Sequence, residues 1–252
     1  MPDEVPPAAL DAYRGLVARR ASGEAVAYII GYKEFYGRRY AVDSRVLVPR
    51  PDTELLVEVA LSLLPPADGA AGGETSPTSG LPRGLRCHDA FTGSGCVGIT
   101  LAAELPDLEV SLSDASDGAL ELARLNVRAV LGRDLDARAG DVLSAATAPL
   151  DLVTANPPYV TAALTDAIMA EGSREPRLAL DGGERGLDLY PAVASQAYAL
   201  LRDGGALAAE IGEEQGPAVR AILEAAGFGD VAVHQDLAGH DRVVEGVKRA
   251  VR

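Results

Sequence analysis

Residues 85–131 read LRCHDAFTGSGCVGITLAAELPDLEVSLSDASDGALELARLNVRAVL. A short apolar run, LRCHDAF, stops at the turn TGSG, and CVGITLAAEL follows with the length and composition of a helix. LEVSLSD is a second short run, and DGALELARLNVRAVL a second helix. Strand-sized runs alternating with helices of roughly 10 to 15 residues predict an α/β fold with a mostly parallel sheet covered by helices on both faces.

Toward the C-terminus the alternation continues through Leu135–Ala139, LDLVTA, a long helix around LDLYPAVASQAYALL, GALAAEI and a helix in EQGPAVRAILEAAG. VAVHQ and RVVEGV close the chain with no helix-length segment between them, which predicts an antiparallel end and brings the strand-like runs to seven. Toward the N-terminus, residues 65–84 are dense in Pro, Gly, Ser and Thr without apolar periodicity and read as a flexible loop. Before it, Ala8–Ala21 has a helical pattern. AVAYIIGYKEFYGRRYAVDSRVLV suggests short strands in a hairpin, and Asp52 or Thr53 is placed to cap a helix through LLVEVALSLL. The expected organisation is therefore 1–64 as helix, hairpin and connecting helix, 65–84 as loop, and 85–252 as the main domain.

The chain has 252 residues, 48% of them hydrophobic and 24% charged, which places it with globular domains and outside the disordered classes. Its net charge of -14 argues against a protein that neutralises phosphates over a broad face. Residues 1–50 alone are mildly basic, with eight Lys or Arg against six Asp or Glu. The two cysteines, Cys87 and Cys96, come without CxxC or Cys/His spacing, so no metal is expected and a reducing compartment is. The N-terminus lacks the basic start and apolar core of a signal peptide, and no run approaches the ~18 apolar residues of a membrane span. These features predict a cytoplasmic protein with no membrane contact. Monomer is the default expectation.

Three sites carry chemistry. The DAFTGSG turn, Asp89–Gly95, lies between a strand and a helix, where backbone N–H groups at a helix N-terminus suit a nucleotide or carboxylate. Taken alone it is weak evidence, and a plain βα turn with no ligand is the competing reading. Asp114 ends the next strand, 19 residues after Gly95, where a carboxylate is placed to accept two ribose hydroxyls; alone it reads as a helix cap, as does Asp117. Asn156-Pro157-Pro158-Tyr159 follows LDLVTA at the carboxyl end of a strand. Two consecutive prolines continue neither a ladder nor a helix, so they fix a rigid loop. That loop offers the Asn156 side-chain oxygen and backbone carbonyls as acceptors and the Tyr159 ring as a flat face, a clamp for a planar NH2 group.

TGSG, the ribose-type aspartate and NPPY together resemble the Class I Rossmann-like S-adenosylmethionine-dependent methyltransferases that act on amino groups. VAYIIGYKEFYG, VLVPRPDTELLVE, REPRLALDGGERGLDLY, AEIGEEQG and DLAGHDRVVEG narrow the resemblance to the protein-(glutamine-N5) methyltransferases of peptide chain release factors, over roughly residues 20 to 247. Two features depart from that pattern. Phe91 stands where the family's turn usually has Gly, with its ring expected to point away from the methionine end of the cofactor. Only about one helix precedes VAYIIG, where the family carries a helical domain.

The resemblance implies S-adenosyl-L-methionine as cofactor, with Phe91, Thr92, Gly93, Ser94 and Gly95 against its methionine moiety, Asp114 on the ribose, and Asp141 with Val142 beside the adenine. Asn156 and the Pro157 carbonyl would accept from the glutamine NH2, with Pro158 and Tyr159 completing the catalytic and substrate-binding loop. Asn156 would also border the cofactor. Arg50, Thr53 and Glu54, in the PRPDTE segment, would cover the pocket. The implied partner is a release factor, with no direct nucleic-acid binding. The competing readings are an N6-adenine or N4-cytosine nucleic-acid methyltransferase, sharing NPPY, and a cofactor-binding module without transfer activity. His88, His234 and His240 are scattered and read as structural, as does Cys96.

Overall fold

The computed structural model describes residues 6–64 and 84–249; of the expected 65–84 loop, all but Gly84 lies outside the described residues. Helix α1 (Pro7–Ala21) leads to a short helix α2 (Val26–Ile30), the hairpin β1 (Tyr32–Phe35) and β2 (Arg38–Ala41), one 3-10 turn at Pro51–Thr53, and α3 (Glu54–Leu63). The alternating region follows as β3 (Arg86–Ala90), α4 (Cys96–Glu104), β4 (Glu109–Asp114), α5 (Asp117–Leu131), β5 (Asp136–Ala139), β6 (Leu150–Ala155) and α6 (Ala162–Ala170). It ends with α7 (Tyr190–Leu200), β7 (Leu201–Glu210), α8 (Gly216–Ala225), β8 (Phe228–Gln235) and β9 (Asp241–Lys248).

Strands β3 to β9 form one seven-stranded sheet in the order β5-β4-β3-β6-β7-β9-β8. Five strands run parallel, and β9 slots antiparallel between β7 and β8, as the two unspaced final runs predict. The chain order reverses between β3 and β6, so their carboxyl ends splay into the crevice where open α/β sheets bind ligands. One core face gathers Phe35, Tyr40, Leu56, Ile99, Leu101 and Leu112; the other gathers Val153, Tyr190, Val193, Ala197 and Leu223. The hairpin and α3 thus bury their apolar side chains in the same core as β3 and α4. Fully burying a side chain such as Leu56 or Phe35 stabilises by roughly 1.5–3 kcal/mol.

Four local readings change. VAYII is helical rather than extended, because Gly31 at φ 82° closes the turn in a left-handed cap and the hairpin begins only at Tyr32. Neither Asp52 nor Thr53 caps α3 with its side chain; Pro51–Thr53 instead winds into the helix as a 3-10 turn. Ser116 caps α5 by accepting from the Ala119 N–H at 3.2 Å, which leaves Asp117 inside the first turn. Helix α6, absent from the pattern reading, starts at a Thr161 cap that accepts from Leu164 N–H.

Candidate active site

A cavity of about 410 Å³ opens at the carboxyl ends of β3, β4 and β6, within the size range of small-molecule sites. Its floor is the turn after β3. Asp89, 2% exposed, organises that turn: Oδ2 accepts from Thr92 Oγ1 at 2.6 Å and Gly98 N at 3.1 Å, and Oδ1 accepts from Thr154 Oγ1 at 2.8 Å. Burial raises its carboxyl to about 6 against these bonds. Phe91, Thr92, Gly93 and Ser94 line the cavity; Gly95 lies behind them, at φ 84°, where a Cβ would collide with Ile99. Phe91 itself sits at φ 56°, a left-handed conformation that is uncommon for a bulky residue, while its side chain packs against the second core face.

Asp114 lies at the cavity wall with Oδ2 accepting from Gly93 N at 2.9 Å and Oδ1 from Ser116 N at 2.9 Å. Burial raises its carboxyl, opposed by the Ser116 and Gly93 N–H groups. Asp141 is exposed at the rim, where its own N–H donates to Ser144 Oγ at 2.9 Å. Val142 is buried beside it at φ 52° and does not line the cavity. Cys96 is held up to about 12 by burial despite its place at the start of α4, and His88, bonded to Ser111 and Ser113, is lowered to about 4 by burial. Neither is set up as a reactive group.

Asn156 lies one residue beyond Ala155, which pairs with Ala90 on one side and Ala209 on the other. Its side-chain amide is half-buried on the cavity wall and has no hydrogen-bond partner among the described residues. Pro158, though buried, also lines the cavity, whereas Pro157 and Tyr159 do not reach the lining. Tyr159 points its hydroxyl away, donating to Glu210 Oε1 at 3.1 Å. The LALDGGERGLD segment braces the loop: Val160 N donates to Leu180 O at 2.9 Å, Gly182 N to Val160 O at 2.8 Å, and Ala162 N to Gly183 O at 2.8 Å. Gln215 Nε2 ties the Tyr159 and Gly186 carbonyls together at 3.1 and 3.0 Å, and Gly186, at φ 69°, leaves no room for a Cβ against the Tyr159 carbonyl.

Of the PRPDTE residues, Arg50 and Thr53 line the cavity and Glu54 does not. The Glu54 carboxylate instead accepts from Tyr36 N at 2.8 Å, which ties α3 to the hairpin. Arg50 Nη2 reaches both oxygens of Glu175 at 2.8 and 2.7 Å, and Glu175 also accepts from Val48 N at 3.1 Å. This pair ties the residues before α3 to the segment before Leu178, two stretches that both contribute to the cavity lining. With Arg50 at 44% exposure it contributes about 1 kcal/mol or less.

Sequence reading missed Glu175, Glu210 and Gln215 as parts of the site; all three lie in quoted stretches, but which ones turn inward is not encoded by spacing. Asp89 opened the turn motif without a role of its own. Among the described residues no group of three His, Cys, Asp or Glu is arranged to hold a metal, and no helix is long and apolar enough to cross a membrane.

Residues 81–175 match the methyltransferase small domain family, and residues 1–31 match the PrmC N-terminal domain family. The chain is 39% identical over 246 residues to the release factor glutamine methyltransferase of Cereibacter sphaeroides, covering 97% of this chain and 82% of that one. It is 40% identical over 251 residues to the release factor glutamine methyltransferase of Neisseria gonorrhoeae, covering 98% and 83%. Among solved structures, a methyltransferase from Pyrococcus furiosus superposes with a TM-score of 0.59 at 13% identity, over 95% of this chain and 99% of the other, a likeness of fold.

Proposed function

The chain belongs to the release factor glutamine methyltransferases, S-adenosylmethionine-dependent enzymes, and we propose that it methylates the side-chain amide nitrogen of the Gly-Gly-Gln glutamine of a peptide chain release factor in the cavity described above. The observation that carries the site assignment is the Asn156 amide, without a hydrogen-bond partner among the described residues, on the wall of a cavity floored by the TGSG turn. The residues fit the cofactor. The cavity is large enough for a nucleoside, the turn presents a helix N-terminus, and Asp114 is already held by two backbone N–H groups with its carboxylate at the wall.

When bound, S-adenosylmethionine supplies a methyl group on a positively charged sulfur. The Phe91–Gly95 turn would hold its methionine end, Asp114 its ribose and Asp141 its adenine, with Val142 packed behind Asp141 rather than on the cavity wall. Arg50 and Thr53 would cover it. The amide nitrogen of glutamine is a poor nucleophile, because its lone pair is delocalised into the carbonyl. Asn156 Oδ1 and the Pro157 carbonyl would accept its two N–H bonds, aim it at the methyl and stabilise the charge that develops as the C–N bond forms. Transfer leaves an N-methyl amide and a thioether and releases one proton. Pro158 and Tyr159 hold the clamp rigid. In this reading residues 85–252 are the catalytic domain, 1–64 precede it, and the chain works as a cytoplasmic monomer. Its charge of -14 favours a protein target over nucleic acid.

Incubation with a purified release factor and S-adenosylmethionine should add one methyl to the Gly-Gly-Gln glutamine, read by peptide mass spectrometry. By analogy with lost oxyanion-hole donors, Asn156→Ala should lower turnover about 100-fold or more. Near-normal turnover in that variant would refute the clamp.

A further inference from the structure

Glu210 ends β7, one residue beyond Ala209, the strand partner of Ala155, so it stands beside Asn156 at the sheet edge that carries the cavity. It is 1% exposed, an unusual place for a carboxyl group, since burying one costs several kcal/mol unless it is bonded or kept neutral. Its Oε1 accepts from the Tyr159 hydroxyl at 3.1 Å, while Oε2 has no hydrogen-bond partner among the described residues. The Thr53 hydroxyl lies near enough to favour the ionised carboxylate, as do the Tyr159 hydroxyl and the Arg242 guanidinium. Burial, the larger influence, raises the carboxyl above the ordinary glutamate range. The Glu210 main chain is pinned as well, with Tyr190, itself fully buried, donating its hydroxyl to the Glu210 carbonyl at 2.8 Å.

An orphaned acceptor at this depth calls for a reason, and packing does not supply one: an apolar residue of the same size would fill the space without the desolvation cost. The bond to Tyr159 does supply one. Tyr159 is held at both ends, its carbonyl by Gln215 and its hydroxyl by Glu210, and the residues between it and β6 are Asn156, Pro157 and Pro158. With two prolines in that span, fixing the tyrosine ring fixes the direction of the whole loop. Thr53, which lines the cavity, gives Glu210 a second neighbour, in the segment before α3.

We infer that Glu210 is a positioning residue for methyl transfer, acting through the Tyr159 hydroxyl to hold the Asn156–Pro158 acceptors in their working geometry. This inference rests on the target-clamp reading of NPPY. Misplacing a reacting group by about 1 Å costs up to 100-fold in rate, so loss of the strut should appear in kcat more than in cofactor affinity.

The test is steady-state methylation of an intact release factor by the full chain, with Glu210→Met (similar in shape, no acceptor), Glu210→Gln (acceptor kept), Tyr159→Phe, and the Glu210→Met/Tyr159→Phe double variant. Glu210→Met should lower kcat about tenfold or more with the KM for S-adenosylmethionine within about twofold, and Glu210→Gln should restore kcat to within about threefold of the parent. The double variant should be no slower than the slower single one, because both remove the same bond. Losses that multiply in the double variant, a Glu210→Gln as slow as Glu210→Met, or an unchanged kcat in Glu210→Met each overturn the inference. If Glu210→Met fails to fold, Tyr159→Phe decides, and an unchanged kcat there overturns it. Asn156→Ala is run alongside. A slow Asn156→Ala beside a normal Glu210→Met sinks only the role of Glu210, whereas a normal Asn156→Ala sinks the clamp itself.

Discussion

Phe91 concentrates the conflict between local conformation and packing in this molecule. The turn after β3 needs φ 56° at that position, a conformation that glycine adopts freely and a residue with a Cβ adopts at a cost of about 1–2 kcal/mol. The ring offsets that cost by packing on the second core face while lining the cavity. Removing it therefore separates the two terms. Phe91→Ala loses the packing and keeps the strain, whereas Phe91→Gly loses the packing and relieves it. Urea unfolding should find Phe91→Gly more stable than Phe91→Ala by about 1 kcal/mol, the reverse of the usual order of alanine and glycine. The residue type was visible in the sequence as a departure from the family's glycine. The backbone angle that makes it costly was not, because φ is set by the hydrogen bonds of Asp89 and Asp114 around the turn.

At the scale of elements, α5 joins the N-terminal hairpin to the cofactor turn through one side chain. Asn126, 1% exposed, accepts from Ala41 N at 2.8 Å and donates to Ala41 O at 3.0 Å and Ser94 O at 2.8 Å. A helix, a strand and the turn thereby share one amide. Asn126→Ala leaves buried backbone groups unpaired and should lower the unfolding free energy by roughly 3 kcal/mol, with weaker S-adenosylmethionine binding by calorimetry because Ser94 loses its tether. Helix spacing in DGALELARLNVRAVL places Asn126 on the buried side without saying what it meets. The same holds for α6, whose sequence has apolar residues all round but buries only Thr165. It escaped pattern reading because little of it packs.

At the scale of the whole molecule, α1 is held by polar contacts at its C-terminal end, where Arg19 pairs with the buried Glu24 and donates to the Tyr28 carbonyl, rather than by apolar burial. None of its described residues is buried, and Leu10, Tyr13, Leu16 and Val17 are 40%, 64%, 42% and 47% exposed. The hairpin and α3, by contrast, bury Phe35, Tyr40 and Leu56 in the core shared with β3 and α4. A chain beginning at Ala18, which keeps the Arg19–Glu24 pair, should hold its unfolding free energy within about 0.5 kcal/mol of the parent and bind S-adenosylmethionine equally well, since no buried contact among the described residues is removed. A larger loss in denaturant unfolding would mean that α1 supports the core.

The sequence by itself determined the sheet class, the antiparallel end, the glycine turn and the position of NPPY at a strand's carboxyl end. Each follows from local periodicity or from the backbone limits of Gly and Pro, which need no distant partner to be read. Tertiary structure alone decided that Glu54 ties the hairpin rather than covering the cavity, that Arg50 pairs with Glu175, and that Tyr159 turns its hydroxyl toward Glu210. Those pairs are separated by 18, 125 and 51 residues. A charged or aromatic side chain on a loop has several directions open to it, and the one it takes depends on which distant group the folded sheet brings within hydrogen-bond reach.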